Sequence, residues 1–131
     1  MLNAVKLSIM NNKIIYRNNG LAQSENQIDT GSGSEFWSVE GSNVQFTWFD
    51  IPANTNFPSH KHESEQITYV LEGELFFKSN GSVYKLSKGD CILIPGNTDH
   101  EVWTESNATK AVDAWSPINN IYSKIDKNLK Q

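Results

Sequence analysis

Cysteine is nearly absent from this 131-residue chain: Cys91 stands alone, so no intramolecular disulfide is possible. In an apolar run, that thiol reads as buried and inert. Arginine is as scarce. Arg17 is the single guanidinium beside ten lysines, which excludes a phosphate or carboxylate clamp built on several arginines. Net charge is −4 and the cations are not clustered, so no nucleic-acid partner is expected. Long apolar runs are missing as well, and none approaches the roughly 20 residues that cross a bilayer. The opening MLNAVKLSIMNNK lacks the continuous apolar core of a secretory signal. The expectation is a cytoplasmic protein with no membrane partner.

What is present is short aromatic and β-branched segments separated by Gly, Pro and Asn, the pattern of an all-β sandwich or barrel. The length suits one domain, residues 1–131, with a barrel core over about 36–116. Strands are predicted over 13–17 (KIIYR), 36–39, 44–51 (VQFTWFDI), 67–71, 74–78, 83–86, 91–94, 101–104 and 109–115. The run 91–94 (CILI) is continuously apolar, as for a strand buried on both faces. Glu72-Gly73 and Asn80-Gly81 read as turns. Residues 20–34 form a polar, Gly/Ser-rich loop. Beyond Pro117, the recurrence of Ile118, Ile121, Tyr122, Ile125 and Leu129 predicts a short amphipathic C-terminal helix.

All three histidines fall into one spacing pattern. His60, His62 and Gln66 form H-x-H-x3-Q, with Gly73 after six further residues; Gly89, Pro95 and His100 form G-x5-P-x4-H. Neutral imidazoles are the commonest metal ligands, and three of them with an amide oxygen leave coordination positions open for chemistry. Residues two apart on a strand share a face, so His60 and His62 project together if the chain after Pro58 is extended. Gln66 has the same parity and Glu65 the opposite one. That favours Gln66 as the fourth ligand, although a bulge would exchange the two.

These motifs resemble the cupin superfamily, whose two motifs run G-x5-H-x-H-x3,4-E-x6-G and G-x5-P-x-G-x2-H-x3-N. The resemblance covers about residues 44–116 and implies a double-stranded β-helix, a jelly-roll-like barrel, with one divalent metal (Zn, Ni, Mn or Fe) at its mouth. Asn54 and Asn97 stand at two of the glycine positions, and Trp103 or Thr104 at the closing asparagine. Gln66 replaces the glutamate. Three histidines and a glutamine are all neutral, so a bound metal keeps its full charge. Such a site is a stronger Lewis acid and is less suited to high-valent iron. Cupins commonly pair through an N-terminal strand and a sheet edge, which implies a homodimer in which residues 13–17 form the pairing strand.

The segments HKHESEQITYVLEGEL and AVDAWSPINNIY are also similar to the small pectin-degradation cupins that ketonise unsaturated uronates. That group carries a late aspartate, an aromatic residue two positions on, and an arginine four beyond. Asp113 and Trp115 match the first two, and Asn119 stands at the arginine. The resemblance makes Asp113 the candidate proton-transfer group and Trp115 a pocket wall, while the loss of the guanidinium argues against an acidic sugar. Phe46, Trp48 and Trp103 are candidates for the same pocket, with core packing as their competing role.

The functional expectation is a metal-dependent isomerase, lyase or tautomerase acting on a small polar or sugar-derived molecule. A metal-dependent dioxygenase and a ligand-binding or sensing module without turnover are the alternatives.

Overall fold

The computed structural model describes Ile15 and residues 33–123. Among these described residues nine strands follow in chain order: β1 (Glu35–Glu40), β2 (Gln45–Ile51), β3 (Asn56–His60), β4 (Glu65–Glu72), β5 (Glu74–Ser79), β6 (Ser82–Ser87), β7 (Cys91–Ile94), β8 (His100–Trp103) and β9 (Thr109–Ser116). They form a five-stranded sheet in the order β1-β2-β9-β4-β7 and a four-stranded sheet in the order β3-β8-β5-β6. All pairings are antiparallel. The two sheets close on a core of Phe36, Phe49, Ile51, Val70, Leu75, Phe77, Leu86, Ile94, Val102, Ala111 and Trp115. This is the all-β, jelly-roll-like barrel that the motifs imply.

The turns explain two of the departures from the family motif. Asn54 and Asn97 both adopt left-handed backbone (φ 57° and 58°), the conformation asparagine tolerates best after glycine. At Gly73 no substitute works. Its φ is +84°, and an added Cβ would lie 2.3 Å from the Ala108 carbonyl oxygen.

Pro58 sits in β3, an edge strand, where its missing N–H costs no ladder bond. Around it the register against β8 slips, from Phe57↔Val102 to His60↔His100, by one extra residue on β3. Three residues apart on a regular strand, Phe57 and His60 would face opposite ways. The bulge turns both toward the barrel interior.

Three expectations are corrected. β7 is an edge strand rather than a doubly buried one: Ile94 is buried, Leu93 is exposed, and the Cys91 thiol is exposed rather than enclosed. The C-terminal helix is replaced, in the described part, by an irregular stretch from Pro117 and a single 3-10 turn at Asn120–Tyr122. Tertiary contacts override helical periodicity there, because Tyr122 packs edge-on to Phe36 and Phe49 and stacks on Trp115. Ile125, Leu129 and, apart from Ile15, the strand predicted over 13–17 lie outside the described residues. Among the described residues no helix is long and apolar enough to cross a membrane.

Candidate metal centre

The bulged end of β3, the turn after it and the start of β8 bring the histidines together. One ligand atom from each of His60, His62 and His100 lies within 4.8 Å of the others. Each ring is held by a backbone carbonyl at Nδ1: Pro58 for His60 (2.8 Å), Ser64 for His62 (2.9 Å) and Thr98 for His100 (2.8 Å). Carbonyls only accept, so each Nδ1 carries the proton and each Nε2 presents a bare lone pair. That is the arrangement in which outer partners fix the tautomer of metal-binding histidines.

Gln66 joins them from β4. It is 4% exposed while Glu65 is exposed, as strand parity predicts. Its Oε1 lies 3.1 Å from His62 Nε2. With His62 protonated at Nδ1, both atoms are acceptors in this orientation of the amide, an opposition that a cation or an extra proton between them relieves. A second observation points the same way. Among the described residues His100 Nε2 is buried with no hydrogen-bond partner, which is costly for a polar atom unless a further group satisfies it. The donor set therefore fits a divalent metal.

Burial keeps the His62 and His100 imidazoles neutral, as ligands must be. Desolvation lowers the pKa of His100 to about 4, with the charges of His60 and His62 adding to it, against the raising effect of its bond to Thr98. Desolvation also lowers His62, partly offset by its bond to Ser64.

Behind the histidines is a cavity of about 50 Å³. His60, His100, Gln66, Thr68, Asp113 and Trp115 line it, together with Phe49, Phe57, Tyr122 and core aliphatic residues. Asp113 is almost fully buried, and burial pushes its carboxyl up to about 7, against the lowering effect of a hydrogen bond from Thr68. Thr68 Oγ1 donates to Asp113 Oδ1 at 2.5 Å and accepts from Gln66 Nε2 at 2.9 Å. A buried polar path therefore connects the histidine cluster to Asp113. Tyr122, also raised by burial and by the nearby Asp113 charge, completes the wall.

Trp115 lies where it was expected, 5.3 Å from the His62 ring, with its indole N–H donated to Thr47. Phe46, Trp48 and Trp103 do not line this cavity. Phe46 and Trp48 alternate with the inward residues Gln45, Thr47 and Phe49, so they occupy the outer face of β2. Trp103 stacks on Phe76 outside the smaller sheet and donates its N–H to Glu105. Asn119, at the family's arginine position, is absent from the cavity wall. Its backbone N–H is taken by Gln45, and its side chain caps the 3-10 turn at Ile121. Thr68, Tyr122, Phe49 and Phe57 are among the cavity residues that the sequence reading missed. Thr68 was discoverable, since it shares strand parity with Gln66.

A sequence profile of the cupin-domain family matches residues 47–114, just over half of the chain. The chain is a cupin. Among curated proteins, the acireductone dioxygenase of Tuber melanosporum is 39% identical over 75 residues, covering 48% of this cupin and 43% of that protein. The chain spans less than half the length of the curated relatives it matches. Among solved structures, KdgF from Halomonas sp. superposes with a TM-score of 0.65 at 21% identity, covering 76% of this chain and 95% of that one. An RmlC-like cupin from Shewanella frigidimarina gives 0.66 at 20% identity, covering 83% and 100%. These two likenesses concern the fold.

Proposed function

We propose that this cupin is a metal-dependent isomerase, lyase or tautomerase acting on a small, uncharged hydroxy-carbonyl or enol compound. The observation that carries the reading is Asp113, a buried carboxyl raised to about 7 that shares one cavity with His60, His100 and the Gln66 amide, with His62 completing the histidine cluster beside it. A general acid–base works best when its pKa lies near the working pH. His60, His62, His100 and Gln66 would hold the metal, which when bound supplies Lewis acidity toward a substrate oxygen.

The chain's own residues do the rest. Asp113 Oδ1 is engaged by Thr68, and Asp113 has no further hydrogen-bond partner among the described residues. Oδ2 would therefore move the proton between carbon and oxygen. Phe49, Phe57, Trp115 and Tyr122 exclude water and orient the substrate. Among the described residues no lysine or arginine lines the cavity, and Asn119 is spent on its cap. A substrate carboxylate would find no cationic side chain among these described residues, which supports an uncharged substrate.

A second reading, a metal-dependent dioxygenase, is favoured by the curated relatives of that name at 31–39% identity. Exchange of substrate C–H for deuterium in D2O, followed by NMR under strictly anaerobic conditions over a panel of hydroxy-ketones, separates the two. The isomerase reading expects exchange without oxygen and its loss in Asp113→Asn. Turnover that stops when oxygen is withdrawn supports the dioxygenase instead.

A further inference from the structure

An amide ligand has two nearly isosteric ends, and only one has a lone pair for a cation. A carboxylate in the same place has no such ambiguity. Choosing glutamine over glutamate therefore creates a requirement: something must hold the oxygen end toward the histidines. The competing orientation is not negligible, because a flipped Gln66 would aim its NH2 group at the bare Nε2 of His62, 3.1 Å away.

We infer that Thr68 is a positioning residue that selects which end of the Gln66 amide faces the three histidines. Gln66 and Thr68 lie two apart on β4 and project to the same face, and Asp113 is directly opposite Thr68 on β9. A hydroxyl has a single proton. Thr68 commits it to the Asp113 carboxylate at 2.5 Å, so only lone pairs of Oγ1 are left toward Gln66. Those lone pairs accept the Gln66 Nε2–H at 2.9 Å and would repel Oε1 if the amide were reversed. Gln66, Thr68 and Asp113 are all buried, so a flip that loses this bond is costly. The strand register thus transmits the acceptor character of Asp113, through one hydroxyl, to the amide that faces the imidazoles.

The inference rests on the metal-site reading above, and its test keeps the two apart. Zn²⁺ is titrated calorimetrically into metal-free protein and four variants, and the folded state of each is checked by circular dichroism. Thr68→Val is expected to lower Zn²⁺ affinity by about 10- to 100-fold, the range for loss of an outer-shell partner. Thr68→Ser, which keeps the hydroxyl, should stay within about three-fold of the parent. Gln66→Glu supplies a ligand with two equivalent oxygens, so adding Thr68→Val to it should cost less than about three-fold. Thr68→Ala replaces Thr68→Val if the latter does not fold. A loss of equal size in the Gln66 and Gln66→Glu backgrounds, or no loss in either, overturns the assignment to Thr68. His100→Ala is the separate control: if it binds Zn²⁺ as tightly as the parent, the metal site fails and the positioning role fails with it.

Discussion

The two faces of the five-stranded sheet have exchanged their usual polarity near the barrel mouth. On the inner face, strand pairing aligns Ser38, Thr47, Asp113 and Thr68 in one row across four strands, with Gln45, Trp115 and Gln66 in the next. On the outer face the alternate residues are Val39, Phe46, Ala114, Ile67 and Leu93 in one row. Trp37, Trp48, Val112, Tyr69 and Cys91 make up the other. Deeper in the barrel, in the row of Phe36, Phe49, Ala111 and Val70, the inner face is apolar. A period-two pattern fixes which residues share a face but not which face is inside. At a functional mouth the polar set goes in, because the interior groups satisfy one another: Gln45 donates to Ser38, Ser38 bonds Thr47, and Trp115 donates to Thr47.

The largest expected effect comes from removing the inner charge. The folded-state pKa of Asp113 is raised from 3.8 to about 7, so the native protein retains a proton that the unfolded chain releases between those values. Stability therefore falls as pH rises through that window, by about 4 kcal/mol in full. In metal-free protein, Asp113→Asn should match the parent below about pH 4, gain progressively to pH 7, and then hold its advantage, as read from urea midpoints. His100 has the opposite sign. Its folded pKa is lowered from 6.5 to about 4, so it contributes stability that is lost as pH falls through that range. The Asp113→Asn variant should consequently gain stability from pH 4 to 6.5, where the parent's two slopes oppose.

A smaller effect is expected at Thr47, whose hydroxyl serves both Ser38 and the Trp115 indole. Thr47→Val leaves that buried N–H unpaired and should cost about 1–3 kcal/mol by denaturant unfolding. The outer face should respond least. Leu93 is 54% exposed on an edge strand, and Leu93→Thr should change stability by no more than about 0.5 kcal/mol. A large loss there would mean the outer row is part of a packed core, and the contrast between the faces would disappear.

Much of the site was legible in the sequence. Histidine spacing located the cluster, and strand parity chose Gln66 over Glu65. Asn54 and Asn97 were acceptable in glycine positions because asparagine tolerates the left-handed backbone found there. What was hidden has physical causes. In VQFTWFDI the aromatic positions 46, 48 and 49 straddle both parities, so the pattern admits either face as interior; Phe49 went in and Phe46 and Trp48 went out. The bulge at Pro58 is a register slip against β8, visible only once β8 is paired. Tyr122 has helical spacing with Ile118 and Ile121, yet its ring contributes more in contact with Phe36, Phe49 and Trp115 than as one residue of a solvent-exposed helix.

The inward polar row ends in a metal site that His60, His62 and His100 could form. Its most direct test is the metal-to-chain ratio of the protein purified without added metal, set beside that of His100→Ala and measured by elemental mass spectrometry. The account predicts about one transition-metal ion per chain for the parent, after removal of loosely bound ions, and essentially none for the variant. Equal metal content in the two proteins, or none in the parent even after incubation with Zn²⁺, Ni²⁺, Mn²⁺ and Fe²⁺ in turn, would contradict it.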